Sequence, residues 1–186
     1  MHASAMAFAV SALTEQDVAG RHVLEAGSMD VNGSARPHVE GLRPRSYVGT
    51  DMRPGPGVDV VCAAEHLSRT QCAYGVVIST EMLEHASDWQ AAMRGMINAL
   101  GPGGLLVLTT RSEGFPLHGY PDDHWRFSVE AMDAIVKAAR LDVERLEADP
   151  DPASPGVFVK ARKPFGWSWP DVQDAWDQAG VTAMPK

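Results

Sequence analysis

The chain is poor in cysteine: among 186 residues only Cys62 and Cys72 occur. Two such residues make neither a metal-ligand spacing nor a disulfide framework. A reducing, cytoplasmic setting fits that usage. No apolar run approaches the ~20 residues that a membrane span requires. The stretch AMAFAVSAL (5–13) is apolar but short, and no basic residue precedes it. It reads as an N-terminal helix rather than a secretion signal. Positive charge is also scarce. Sixteen Lys and Arg against 24 Asp and Glu give a net charge of −8. A surface of that sign repels a phosphate backbone, so no nucleic-acid partner is expected. What is present is ordinary globular material, 45% hydrophobic, enough for one domain with a core of useful size.

Strand and helix patterns alternate along the chain. Thr14-Glu15-Gln16-Asp17 reads as a capped short turn stopped by Gly20. HVLEA (22–26), SYVGT (46–50), GVDVVCA (57–63), YGVVIS (74–79) and LLVLTT (105–110) read as strands. YGVVIS is continuously apolar at its centre, as a strand buried on both faces must be. DWQAAMRGMINAL (88–100) and SVEAMDAIVKAARL (128–141) carry the helical period, the second with Ser128 as N-cap. Two more strands are expected at 143–148 and 156–161. The alternation predicts an α/β fold with a mostly parallel central sheet and helices on both faces. Only MRPGPG separates Asp51 from the third strand, too little for a crossover helix. The helix between strands 2 and 3 is therefore expected to be lost or reduced.

The stretch LEAGSMDVNGS (24–34) leaves the first strand in a turn of small and polar residues. In open α/β sheets the ligand lies beyond the carboxyl ends of the strands. Gly27 and Gly33 allow close backbone approach or positive φ, and Asp51 after the second strand suits ribose hydroxyls. Where a pyrophosphate would need a second glycine the chain has Met29, followed by the acid Asp30. That pairing disfavours a nicotinamide dinucleotide, and with it an oxidoreductase. It suits a cationic ligand with a ribose and no phosphate, such as S-adenosylmethionine.

VLEAGSMDVNGSARP, YVGTDMRPGPGVDVV, VVISTEMLEHASDW and LGPGGLLVLTTRS, taken in order, resemble the successive motifs of class I S-adenosylmethionine-dependent methyltransferases, most of all the small type 11 group. The resemblance covers roughly residues 20–162 and implies a Rossmann-like fold with S-adenosylmethionine as cofactor. It implies that Glu25 and Gly27 lie near the methionine moiety, with Ser28 and Asp30 in the same turn. Asp51 matches the ribose acid and Met52 the apolar residue beside the adenine. Ser79, Thr80 and Glu81 match the loop at the cofactor's amino-acid end. The chain departs from the family in its missing second glycine. It departs again at Ala63, where an acid often meets the adenine amine; Glu65 or a backbone group is left for that task.

Methyl transfer to an alcohol or amine needs an aligned acceptor and a group that takes its proton. FPLHGYPDDHWRFS (115–128) follows the fifth strand and concentrates such groups. It is long for a connection, as functional loops often are. His118 and His124 are candidate bases, with His85 after STEMLE a third. Asp122 or Asp123 can orient a histidine or bind a polyol. Tyr120 and Trp125 can pack on a ring, and Arg126 can pair with a substrate anion or with Glu113. Trp125 and Phe127 are equally suited to plugging the core. His118, Asp122, Asp123 and His124 are all metal-ligand types, but no recognised ligand spacing is present and no metal is expected.

The expected organisation is a methyltransferase-like domain over 1–164 and a tryptophan-rich tail over 165–186. In the tail, Pro170 opens a short helix with Val172, Ala175, Trp176 and Ala179 on one face. That face must dock on the domain or on a second subunit. The expected activity is O- or N-methylation of a small-molecule, sugar or natural-product acceptor. A degenerate methyltransferase-like scaffold without catalysis is the alternative. The expected partners are a small-molecule or glycan acceptor and a possible homodimer, with no membrane.

Overall fold

β1 (His22–Ala26) is buried at four of its five positions. β4 (Tyr74–Thr80) is buried at six of seven. Strands so apolar on both faces belong at the centre of a parallel sheet, and these two pair there in parallel. The computed structural model describes residues 2–69, 73–119 and 122–185. Cys72 and Tyr120 lie outside the described residues.

β2 (Ser46–Asp51), β3 (Val60–Val61), β5 (Leu100–Arg111), β7 (Asp142–Ala148) and β8 (Gly156–Arg162) complete a seven-stranded sheet. Its order is β3-β2-β1-β4-β5-β8-β7. β8 runs antiparallel to both of its neighbours; the remaining pairings are parallel. Side chains alternate across the sheet as the pleat requires. Val23, Val76, Ile78, Leu105 and Val107 pack under α1 (Ala3–Ala12), α2 (Glu15–Val18) and α3 (Arg36–Gly41). Leu24, Val77, Leu106 and Leu108 pack under α4 (Trp89–Ala99) and α5 (Val129–Ala138). The caps follow the sequence. Thr14 and Asp17 form a reciprocal capping box on α2, and Ser128 accepts the Ala131 N–H at 3.0 Å.

Some boundaries differ from expectation. The third strand shrinks from 57–63 to Val60–Val61 because Gly57 turns at φ +83°. Asp59 holds β2 through its N–H, which donates to the Gly49 carbonyl at 2.8 Å, and through its carboxylate, which accepts the Gly49 N–H at 2.7 Å. No helix forms between β2 and β3. The connection instead folds onto the turn after β1, where the Asp30 N–H donates to the Pro56 carbonyl at 2.8 Å. A Cβ on Gly49 would sit 2.3 Å from the Gly57 carbonyl, so only glycine permits that closeness. The one-and-a-half turns of α3 were not anticipated: only Val39 of that segment is buried, too little to leave a periodic signal.

The tail docks on the domain. Its helix α6 (Gln173–Asp177) is shorter than expected and leaves Ala175 exposed, but Val172 and Trp176 enter the main core. The Trp176 indole donates to the Ile135 carbonyl at 3.0 Å and Trp167 to the Ala139 carbonyl at 2.7 Å, both at the C-terminal end of α5. Trp176 also stacks at a tilt on Trp89, centroids 5.6 Å apart. β9 (Thr182–Ala183) then pairs antiparallel with β6 (Trp125–Arg126). Among the described residues no helix is long and apolar enough to cross a membrane.

Candidate active site

Chain order reverses between β1 and β4, and a cleft of about 860 Å³ opens beyond the carboxyl ends of β1, β2 and β4. That is the position expected of a ligand in an open α/β sheet, and the volume suits a small-molecule ligand. The turn after β1 forms one wall. Its Gly27 and Ser28 N–H groups both donate to the Thr50 carbonyl, at 2.8 and 2.9 Å, which pins the turn to β2. Gly27 has φ +79°, and a Cβ there would lie 2.4 Å from Cγ of Met82.

Asp51 faces the cleft from the end of β2. The Arg53 N–H donates to its Oδ1 at 3.1 Å and the Met29 N–H lies 3.4 Å from Oδ2. Met52, Cys62, Ala63 and Ala64 line the cleft beside it. Glu65, the substitute acid, is engaged as acceptor for the Ser87 N–H and hydroxyl, both at 3.1 Å. Glu25 lies beneath the turn, 2% exposed, accepting a hydrogen bond from the Tyr47 hydroxyl. Burial pushes its carboxyl up to about 7 against that hydrogen bond.

Across the cleft, Thr80 and Glu81 line the wall. Glu81 has φ +51°, a left-handed backbone that is unusual for a non-glycine residue. Its carboxylate pairs with the buried Arg111 and accepts the His2 N–H at 2.8 Å. His2 thereby brings the start of α1 to the cleft rim. Two of the cofactor candidates do not line the cleft. Asp30 is exposed and accepts the Gly33 N–H at 2.9 Å. Ser79 is buried within the sheet.

His85, His118, Asp122 and His124 all line the opposite end. His118 is the most firmly built. Asp123 accepts both its backbone N–H, at 2.9 Å, and its Nδ1, at 3.0 Å. Hydrogen bonds from Arg126 keep Asp123 ionised. Burial itself works against this, yet the Arg126 and His118 contacts hold its carboxyl down at about 2. Nδ1 of His118 must then carry the proton, and Nε2 presents a lone pair. Burial, with His85 nearby, lowers the His118 pKa below the ordinary imidazole value. His85 is fixed in the same sense, its Nδ1 donating to the Asp122 carbonyl. The two rings meet edge to face, centroids 4.9 Å apart.

Arg126 does not reach the cleft. It is 2% exposed, paired with Asp123 and surrounded by the Phe115, Pro116 and Trp125 carbonyls. Its role is to brace the loop, and Glu113 pairs elsewhere, accepting the Thr182 hydroxyl. Phe127 is fully buried, and the Trp125 indole donates to the Ala86 carbonyl at 2.8 Å, so both serve packing. Sequence reading missed Glu84, which is fully buried behind the two histidines and accepts the Thr110 hydroxyl at 2.8 Å. Its only trace was an acid set beside His85 in an otherwise apolar turn.

A sheet of this order with one reversed strand, and a cleft over its switch point with an acid at the end of β2, define a class I methyltransferase. The methyltransferase domain family model matches residues 8–146, and the chain belongs to that family. No curated protein matches it by sequence. Solved structures share the fold at low identity. The Burkholderia thailandensis 1,6-didemethyltoxoflavin-N1-methyltransferase, with bound 1,6-didemethyltoxoflavin and S-adenosylhomocysteine, is 16% identical with a TM-score of 0.70; the match covers 86% of this chain and 78% of that one. The N-methyltransferase NodS from Bradyrhizobium japonicum WM9, with S-adenosylhomocysteine, is 15% identical at TM-score 0.57, covering 83% and 84%. The [4+2]-cyclase SpnF is 14% identical at 0.65, covering 87% and 80%. S-adenosylmethionine is the cofactor. The cleft fits it: its lining sets the Asp51 carboxylate at the end of β2, a hydrogen-bond acceptor, beside the apolar Met52 and Ala63.

Proposed function

We propose that the chain methylates a small-molecule acceptor through an oxygen or nitrogen atom, with the acceptor bound at the His85–His118 end of the cleft. One observation carries this reading. A single cleft holds the ribose acid Asp51 at one end and, at the other, His118 oriented by a buried ionised carboxylate. When bound, S-adenosylmethionine supplies an electrophilic methyl group. Asp51 receives ribose hydroxyls, and Glu25, Gly27, Ser28, Thr80 and Glu81 surround the amino-acid end. Met52 and Ala63 face the adenine. His118 Nε2 takes the acceptor's proton as the new bond forms, and Asp123 steadies the imidazolium. The 1,6-didemethyltoxoflavin-N1-methyltransferase supports a small-molecule acceptor, and it and NodS support a nitrogen atom; SpnF is the reason to test turnover directly, because this fold also carries other chemistry.

We read residues 1–164 as the catalytic domain and 165–186 as its buttress, in a cytoplasmic protein. Light scattering decides the expected homodimer. Calorimetry with S-adenosylhomocysteine, followed by turnover on a panel of small hydroxyl and amine acceptors, tests the function. His118→Ala should lower turnover by roughly 10²–10⁴ while S-adenosylhomocysteine still binds. Binding heat with no turnover on any acceptor would favour the non-catalytic alternative.

A further inference from the structure

Glu84, His85 and His118 each offer one ligand atom, and these atoms lie within 4.8 Å of one another. Glu84 is fully buried, and its Oε1 has no hydrogen-bond partner among the described residues. That oxygen stands 4.0 Å from Nε2 of His85. A buried carboxylate oxygen left unpaired is costly, and nothing in the methyl-transfer reading uses it. Both imidazoles have Nδ1 committed, His85 to the Asp122 carbonyl and His118 to the Asp123 carboxylate. Asp123 is fixed in turn by Arg126. Histidines that hold metals donate their other ring nitrogen to a carbonyl or carboxylate in this way, which orients the free nitrogen.

We infer that Glu84 Oε1, His85 Nε2 and His118 Nε2 bind a first-row divalent cation of the Zn²⁺, Fe²⁺ or Mn²⁺ kind. Two imidazoles and one carboxylate form a set that leaves coordination positions open, and two of the three residues line the cleft. Ligands at about 2.1 Å from an ion stand at most about 4.2 Å apart, so small side-chain movements close the cluster. The inference rests on the reading of this cleft as the methyl-transfer site, and it selects an oxygen acceptor. A hydroxyl bound at an open position loses its proton to water, the O–H electron pair staying on the oxygen. In the metal-free protein the His118 lone pair receives that proton; in the loaded protein it holds the ion.

The test uses tag-free full-length protein stripped with EDTA and titrated with Co²⁺ alone, followed by visible absorption and calorimetry. One Co²⁺ per chain should bind, and His118→Ala and His85→Ala should each weaken it by about 100-fold or more. Glu84→Gln should do the same; the two histidine variants carry the test should the buried substitution impair folding. S-adenosylhomocysteine affinity, measured on every variant, should stay unchanged. Absence of saturable Co²⁺ binding, or binding indifferent to both histidine variants, overturns the metal site. Intact S-adenosylhomocysteine binding in that case leaves the methyltransferase reading standing, whereas its loss in the wild-type chain would undo that reading separately.

Discussion

Glu25 is expected to make stability depend on pH in an unusual direction. The carboxyl is buried beneath the cofactor turn, with the Tyr47 hydroxyl as its hydrogen-bond donor. Burial raises it from 4.5 to about 7. Between those values the folded protein keeps a proton that the unfolded chain releases. Stability is therefore greatest below the unfolded value and falls as pH rises toward 7, by about 3 kcal/mol in total. Above that range the loss is complete and the contribution is flat. Glu25→Gln retains an acceptor for Tyr47 and cannot ionise. Its stability relative to the wild type should thus rise by about 3 kcal/mol from pH 4.5 to pH 8, as read from urea unfolding at each pH. Parallel profiles for the two proteins across that range would refute the argument. The same group couples to the cofactor, because a ligand of net positive charge favours the carboxylate. S-adenosylmethionine binding near pH 6.5 should release protons, seen as a dependence of binding heat on the buffer's ionisation enthalpy, and Glu25→Gln should abolish that release.

Asp51→Ala removes a charged acceptor worth about 1.5–3 kcal/mol, so S-adenosylmethionine affinity by calorimetry should fall roughly tenfold or more; an unchanged affinity in a folded variant removes the ribose assignment. Gly27→Ala places a methyl group against Met82 at a φ of +79°, and should weaken S-adenosylhomocysteine binding while Gly20→Ala, where space is open, leaves it intact. Trp176→Ala empties a fully buried indole site and should cost about 3–5 kcal/mol in urea unfolding. A chain ending at Pro164 should lose stability, with its mass followed by light scattering; the same stability as the full chain would mean that the tail contributes nothing to the fold.

Strongly apolar segments were legible because burial on both faces leaves an uninterrupted signal. The β1 strand and the cores of β4 and β5 are of this kind, and so are the helices around Met93 and Ile135. Asp51 was legible for another reason: strand end and acid coincide in sequence. What was hidden depends on partners distant in the chain. The docking of Trp167 and Trp176 on α5 carbonyls, and the clamp of Arg126 on Asp123, have no local period. Arg126 looked like a substrate ligand because sequence shows its charge and not the three carbonyls around it. Glu84 was hidden most fully, since a buried acid in an apolar turn reads as a solvated one until Thr110 and the two imidazoles are seen beside it.

The pairing of β9 with β6, reinforced by the Met184 N–H donating to the His124 carbonyl at 2.7 Å, gives the last residues a grip on the loop that carries His118. Tail docking and loop order are then two readings of one equilibrium. An acceptor that tightens the loop must tighten the tail, and by reciprocity any factor that draws the tail away must weaken the acceptor by the same ratio. The C-terminal residues thus tether the loop that carries His118 through two residues of ladder, and the buried Trp176 indole anchors that tether to the core.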